Sequence, residues 1–210
     1  RTQALVERDG EYMIWVNGRE LMSTRHAFSE QQLGVVGCQA LRGRKGARVL
    51  IGGLGLGFTL RAALETLDRD ARVVVAELMP QVVTWNENAA YPLASAALAD
   101  QRTEVALGDV AALIAKSPAA RFDAILLDAD NETTAMNTAG NSQLYQSAGL
   151  ASIARALKPH GTVVYWSVGD DPALVKRLTQ SGFAVETQRV RKHAAAKSGG
   201  YHVLIQARRV

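Results

Sequence analysis

Cysteine is almost missing from this chain: Cys38 is the only one in 210 residues, which excludes an internal disulfide and any zinc site built from cysteine sulfurs. It sits in the apolar run Val35-Val36-Gly37-Cys38 and reads as a small buried hydrophobe; a chain without disulfides fits a reducing cytoplasm. No apolar stretch reaches the roughly 18 residues that a membrane-spanning helix needs, and no signal-peptide pattern opens the chain, so no membrane partner is expected. Aromatic residues are scarce, at 6%. None interleaves with the basic cluster Arg42, Arg44, Lys45 and Arg48, and no nucleic-acid-binding signature is present. The positive excess, +4 overall, gathers in that cluster and again at Arg189, Arg191, Lys192, Lys197, Arg208 and Arg209, where solvated surface is the plain reading. His26 and His193 stand alone, without companions at metal-ligand spacing, and no metal is expected.

What the chain does have is glycine in one place. Residues 47–57 read ARVLIGGLGLG. Val49-Leu50-Ile51 is apolar without alternation, as in a strand buried on both faces of a parallel sheet. It runs into Gly52, Gly53, Gly55 and Gly57 and then into a helical segment over 58–67. Glycines at a strand-to-helix turn let the backbone approach a ligand closely, and the helix start favours negative charge. A second apolar strand, Val73-Val74-Val75, stops at Glu77, about twenty residues beyond the last loop glycine. In nucleotide-binding α/β folds a carboxylate at that distance holds ribose hydroxyls. The spacing is G-x-G-x-G and no G-K-[ST] follows, so a nucleoside-type ligand fits better than a dinucleotide or a P-loop nucleotide.

Before this motif, residues 3–23 carry the hairpin dipeptides Asp9-Gly10 and Asn17-Gly18 between β-prone runs. They predict a small antiparallel appendage, residues 1–24, that must pack on the main unit or on a partner chain. Ser29 has the look of a helix N-cap before 30–41, with Gln32 completing a capping box. After the motif, strand and helix alternate: Pro80 opens a helix, and strands are expected at 103–107, 122–127 and 162–166. A helix is expected over 147–157, stopped by Lys158-Pro159-His160-Gly161, and another opens at Asp170 or Asp171 with Pro172. Segments 183–190 and 201–207 form a final hairpin, whose 191–200 connection reads equally as a basic lid or a plain tip. The expected fold is therefore α/β: a Rossmann-like, mostly parallel sheet over residues 25–210, with a C-terminal antiparallel hairpin and the N-terminal β appendage.

Glu77, Asp109 and Asp128 each follow an apolar strand directly. In an open α/β sheet the carboxyl ends of the strands share one edge, which brings these acids to the glycine loop. Asp109 also suits the N-cap of the helix after it. Ribose hydroxyls, an adenine amine and a cationic substrate are the groups that such a cluster would meet. Tyr145 reads equally as a cover over the nucleoside or as packing, Trp166 as core or rim, and Trp85 as packing.

The stretches VLIGGLGLGFTLRAAL, VVVAELMPQVV, VALGDV, FDAILLDADN and LYQSAGLASIARALKPHGTVVYW resemble the spermidine/spermine synthase family, whose members share the class I S-adenosylmethionine-type Rossmann fold. The resemblance runs from Asn17-Gly18-Arg19 to Trp166. It implies aminopropyl transfer from decarboxylated S-adenosylmethionine to an amine acceptor, in a homodimer. It also implies that Gly52, Gly53, Gly55, Gly57, Glu77, Leu78, Asp109 and Val110 hold the donor and that Asp128 is the catalytic carboxylate. Asp130, Asn131, Tyr145 and Gln31 would then face the acceptor.

Two departures stand out. Where the family reads G-G-G-D-G-G, this chain has Gly52-Gly53-Leu54-Gly55-Leu56-Gly57 and lacks the loop acid. Where the family has an aspartate-serine-serine-aspartate-proline stretch, it has Asp128-Ala129-Asp130-Asn131. The first alternative is an S-adenosylmethionine-dependent methyltransferase, which would share the loop, Glu77 and Asp109. The second is a non-catalytic cofactor-binding homologue.

Overall fold

A computed structural model describes residues 2–128, 143–193 and 200–210. Three short strands, β1 (Gln3–Arg8), β2 (Glu11–Val16) and β3 (Arg19–Ser23), form an antiparallel sheet in that order. Both of its turns place both central residues at positive φ: Asp9 at 55° and Gly10 at 79°, Asn17 at 52° and Gly18 at 77°. This is the type I′ geometry whose twist matches the flanking strands, and Asp-Gly and Asn-Gly are the dipeptides that adopt it most readily. The sheet packs on the main unit: Ile14 and Val16 are buried in one apolar cluster with Leu33 of the next helix and Val49 and Ile51 of the main sheet.

Helix α1 (Ala27–Gln39) follows a single 3-10 turn. It starts ahead of the expected position, so Ser29 lies inside the helix and does not cap it; Ser23 instead caps the 3-10 turn by accepting from the Arg25 amide. Ser29 is fully buried, and its hydroxyl is tied to a residue far along the chain. A partner 173 residues away leaves no mark on local spacing.

The main sheet has seven strands in the order β6-β5-β4-β7-β8-β10-β9. They are β4 (Arg48–Gly52), β5 (Arg72–Glu77), β6 (Thr103–Leu107), β7 (Phe122–Leu127), β8 (Leu157–Ser167), β9 (Phe183–Arg191) and β10 (Tyr201–Arg209). The first five are mutually parallel, and the final hairpin pairs antiparallel onto β8 through β10. The helices α2 (Phe58–Thr66), α3 (Pro80–Glu87), α4 (Ser95–Leu98), α5 (Val110–Lys116), α6 (Ser147–Ala156) and α7 (Pro172–Gln180) lie in the connections.

The central strands β4, β5 and β7 carry apolar runs because both faces are covered. Val49, Ile51, Val73, Val75 and Leu126 face the cluster that includes the N-terminal sheet, α1 and α2. Their neighbours Leu50, Val74, Ile125 and Leu127 face the cluster beneath α6 and α7. Alternate residues thus point into two different cores. Strand β8 departs from expectation by starting at Leu157: the Lys158–Gly161 stretch bends, with His160 at φ 62°, yet remains within the strand as a register shift against β7.

The opposite end of the sheet from the glycine loop is pinned by Asp123. Its buried carboxylate accepts from the Arg48 amide at 2.8 Å and from Lys158 Nζ at 2.7 Å, and Arg44 Nε lies 3.0 Å away. A carboxylate taken out of water needs such partners, and here they join β4, β7 and β8. Part of the basic cluster before β4 therefore has a structural use. Among the described residues no helix is long and apolar enough to cross a membrane.

Candidate functional site

Parallel register brings the candidate acids together. Gly52 lies beside Ala76 on one side and Leu127 on the other, and Glu77 lies beside Leu107. The residues that follow β4, β5, β6 and β7 therefore rim one crevice at the carboxyl edge of the sheet. Gly52, Gly53, Gly55, Glu77, Leu78, Asp109, Val110 and Asp128 all line this crevice, which opens to solvent.

Glu77 organises the crevice. It is 5% exposed, and its two carboxylate oxygens accept from two backbone amides: Oε2 from Leu54 at 2.9 Å and Oε1 from Met79 at 2.8 Å. The end of β5 is thereby tied to the glycine loop and to the entry of α3. A carboxylate has about four lone-pair sites, so each oxygen retains capacity for a ligand hydroxyl. Asp109 caps α5 by accepting from the Ala111 amide through Oδ1 at 2.8 Å. Asp128 is half-buried, and its amide donates to the Gly52 carbonyl at 3.1 Å, which holds the end of β7 against the end of β4.

Gly57 stands apart from the cavity. It precedes α2 at φ 78°, and a Cβ there would fall 2.2 Å from the Ala94 Cβ, so this glycine permits close packing behind the loop. Two other expected residues also lie elsewhere. Tyr145 is 6% exposed, with its ring 5.3 Å from that of Tyr165, in the core beneath α6. Burial, with Tyr145 alongside, pushes the Tyr165 phenol above its ordinary pKa, and its hydroxyl donates to the Leu144 carbonyl. Gln31 is exposed on α1 and lines neither this cavity nor its neighbour. Asp130 and Asn131 lie outside the described residues, as do 194–199 of the loop read as lid or tip.

The structure adds walls that sequence reading did not single out. Leu21 and Met22 of β3, with Met79 and Val82 around α3, give the crevice an apolar side. Met22 reaches the glycine loop itself, its sulfur 2.9 Å from where a Cβ on Gly55 would lie. The only available signal was the apolar pair Leu21-Met22 just after a hairpin turn.

A second cavity adjoins the first and shares Leu21, Met22 and Asp128 with it. Glu20, Glu30, Trp166, Lys192 and His202 complete its walls. His202 is 6% exposed, its Nδ1 is 2.8 Å from Ser29 Oγ, and its ring meets that of Trp166 edge-on at 4.3 Å. Its one sequence signal is a histidine inside the apolar strand pattern of Tyr201–Arg209.

The electrostatics of the first cavity are one-sided. Its described lining holds three carboxylates, Glu77, Asp109 and Asp128, and no lysine, arginine or histidine. Several amides that could have met an anion are engaged inside the fold: Gly53 N donates to the Ala76 carbonyl and Gly57 N to the Leu54 carbonyl, each at 2.8 Å, while Leu54 N donates to Glu77. Among the described residues no group of three or more His, Cys, Asp or Glu side chains is placed to hold a metal ion.

Residues 73–201, more than half of the chain, match the family described as S-adenosyl-L-methionine-dependent methyltransferase. A search of curated protein sequences finds no match. Among solved structures, spermidine synthase from Thermotoga maritima is similar over 97% of this chain and 72% of its own, at 17% identity and a TM-score of 0.72. A 1,6-didemethyltoxoflavin-N1-methyltransferase from Burkholderia thailandensis, solved with bound 1,6-didemethyltoxoflavin and S-adenosylhomocysteine, is similar over 87% of this chain and 78% of its own, at 21% identity and a TM-score of 0.58. A precorrin-6y C5,15-methyltransferase from Geobacter metallireducens aligns over 85% and 88%, at 16% identity and a TM-score of 0.59. At these identities the structural likeness shows a shared Rossmann-like fold and carries no statement about the reaction.

Proposed function

Because the chain belongs to the S-adenosyl-L-methionine-dependent methyltransferase family, we propose that it is a transferase moving an alkyl group from the sulfonium of an S-adenosylmethionine-type donor to an amine. Aminopropyl transfer from the decarboxylated donor is the form the site's charge supports best. Glu77 would accept from the ribose hydroxyls and Asp109, through Oδ2, from the adenine amine. The apolar side chains of Leu78, Val82 and Val110 would cover the rest of the nucleoside.

One observation carries the choice of donor: the described cavity lining has three carboxylates and no cationic side chain, and three loop amides are turned inward. The decarboxylated donor carries a sulfonium and an ammonium and no anion, so it gains from this field. Intact S-adenosylmethionine brings a carboxylate that would lie among like charges. The loop acid expected of an aminopropyl transferase is absent from Gly52-Gly53-Leu54-Gly55-Leu56-Gly57, which leaves Asp128 as the acid shared by the two cavities.

In the transfer step the neutral amine nitrogen of the acceptor attacks the carbon bonded to the sulfonium. The nitrogen–carbon bond forms, and the carbon–sulfur bond breaks with its electron pair going to sulfur, which leaves as a neutral thioether. The proton released from nitrogen passes to Asp128, which also orients the amine before attack. The positive charge on sulfur supplies the driving force.

Methyl transfer is the second reading, and the family match favours it. Calorimetric titration with decarboxylated S-adenosylmethionine, S-adenosylmethionine, methylthioadenosine and S-adenosylhomocysteine separates the two. Tighter binding of the decarboxylated donor and of methylthioadenosine is expected. Preference for S-adenosylmethionine and S-adenosylhomocysteine would move the assignment to methyl transfer, and binding of none would overturn the nucleoside site.

A further inference from the structure

The amino ends of the parallel strands form the sheet edge opposite the crevice, and cations from stretches far apart in the chain meet there. Arg48 opens β4 and Arg72 opens β5; both are exposed, and they are register partners on neighbouring parallel strands. Their side chains leave the same face about 4.8 Å apart, the spacing of paired strands. The run of register partners Arg208–Thr162–Ala124–Val49 sets the exposed Arg208 of β10 within one residue of the level of Arg48. Exposed Arg42 and Lys45 come from the turn before β4, which is held by the Gly46 amide donating to Asp70 and by Arg44 Nε against the buried Asp123, each at 3.0 Å. Residues 42–48 and 208–209 read as solvated charge in the sequence because only the sheet unites them. Among the described residues no carboxylate forms an ion pair with Arg42, Lys45, Arg48, Arg72 or Arg208. Nearby acids are engaged, Asp123 by Arg44 and Lys158 and Asp100 by Arg102, while Glu65 and Asp68 remain exposed around the end of α2.

Like charges side by side on a sheet are unfavourable until an anion meets them, and clustered cations attract a polyanion over a distance. Four strand spacings separate β5 from β10, about 19 Å, which is the length of about six base pairs. The exposed large apolar residues Leu78, Leu107, Val168 and Tyr201 lie toward the carboxyl edge, and the amino edge has Val210. That edge therefore offers phosphate recognition and little that would enter a lipid layer or stack on a base. We propose that the amino edge of the main sheet is a docking surface for the phosphate backbone of a nucleic-acid duplex, bound without regard to sequence. Arg42, Lys45, Arg48, Arg72 and Arg208 supply the contacts, and the guanidinium forks suit pairs of phosphate oxygens. A duplex held there leaves the crevice open, and the inference does not rest on the proposed transfer reaction.

The test is fluorescence anisotropy of labelled RNA and DNA duplexes of arbitrary sequence, titrated with the full chain at low and at physiological salt. Neutralising about five phosphates implies an affinity loss of roughly 500-fold between about 50 and about 200 mM salt. The triple variant Arg48→Gln, Arg72→Gln, Arg208→Gln should bind more weakly at low salt and lower the salt slope by about 2.7. A second triple variant, Arg8→Gln, Arg19→Gln, Lys176→Gln, removes the same charge from exposed positions away from this edge and should keep the wild-type slope. Thermal unfolding at the wild-type temperature confirms that both variants fold. Should the first triple variant unfold, Arg208→Gln alone takes its place, with an expected fall in slope of about 0.9.

Failure of both duplexes to bind at low salt would overturn the inference, as would an unchanged slope in the first variant. Equal losses in the two triple variants would show an effect of net charge alone and overturn it as well. Sedimentation with phosphatidylserine vesicles is the comparison for a charged lipid surface, and vesicle binding without duplex binding would also overturn it. A preference for RNA or for DNA supports the inference and identifies which backbone is recognised.

Discussion

Replacing Glu77 with glutamine keeps the shape of the side chain and tests the centre of the site. Its two oxygens accept from Leu54 N at 2.9 Å and Met79 N at 2.8 Å, and it is 5% exposed. Glutamine offers one oxygen and one NH2, so one of those amides would face a donor. Losing a hydrogen bond to a charged group removes roughly 1.5–3 kcal/mol, and leaving the amide unpaired adds about 1–3 kcal/mol. No longer burying a charge offsets part of this, which leaves a net destabilisation of about 3 kcal/mol. For a chain of this size that is a fall in Tm of roughly 6–12 °C. On the proposed reading the nucleoside also loses one of the two oxygens available to its ribose, and methylthioadenosine should bind about tenfold or more weakly. Differential scanning calorimetry and titration calorimetry on the same preparation give both values. A Tm within about 1 °C of wild type would refute the bridging role of the carboxylate. A lowered Tm with unchanged nucleoside affinity would refute the ribose contact and leave Glu77 as scaffold only.

Two further substitutions or reagents probe the frame around the site. Gly57→Ala combines a left-handed backbone with a Cβ 2.2 Å from that of Ala94, whereas Gly43→Ala, at φ 75°, meets nothing within 4 Å. Thermal or urea unfolding should show the first destabilised by about 2–4 kcal/mol and the second by about 1–2 kcal/mol, and equal losses would show that packing against Ala94 contributes nothing. Cys38 is fully buried and its thiol is pushed up to about 12 by that burial. At pH 8 about one molecule in ten thousand holds the thiolate, so a chromogenic disulfide reagent should leave the folded chain unlabelled and react once it is denatured; prompt labelling of the folded chain would contradict the placement of α1.

The parts of the fold that could be read in advance are those whose causes are local. Thr103–Leu107 and Phe122–Leu127 are strands at the residues expected: the first is an edge strand with Glu104 and Leu107 exposed, while the second is buried throughout, as its apolar run 124–127 requires. Asp109 and Asp171 cap their helices as their positions before α5 and before Pro172 suggest, since capping involves amides two or three residues away. Glu77, Asp109 and Asp128 meet at one edge because parallel topology sends every strand's carboxyl end there. Where the reading failed, the cause lay far along the chain. Ser29 resembled a cap while its hydroxyl was directed to His202; of the two readings of Tyr145, cover or packing, its ring against Tyr165 matches the packing one.

The same distinction divides the two cavities. The donor side is mostly a property of strand ends and the turns that follow them, so a short motif carries it and an entire family can share it. The acceptor side is assembled from β3, α1, the end of β7, the end of β8 and the last hairpin. No spacing relates Glu20, Glu30, Asp128, Trp166, Lys192 and His202, and each taken alone reads as an ordinary surface or strand residue. Only the packing of the N-terminal sheet against α1 and the hairpin brings them to one wall. A substitution in any of those elements can therefore change the acceptor while leaving the glycine loop and Glu77 untouched. Family membership accordingly informs on the glycine loop and Glu77, whereas on the proposed reading the choice of acceptor depends on the residues that the N-terminal sheet and the last hairpin bring to Asp128.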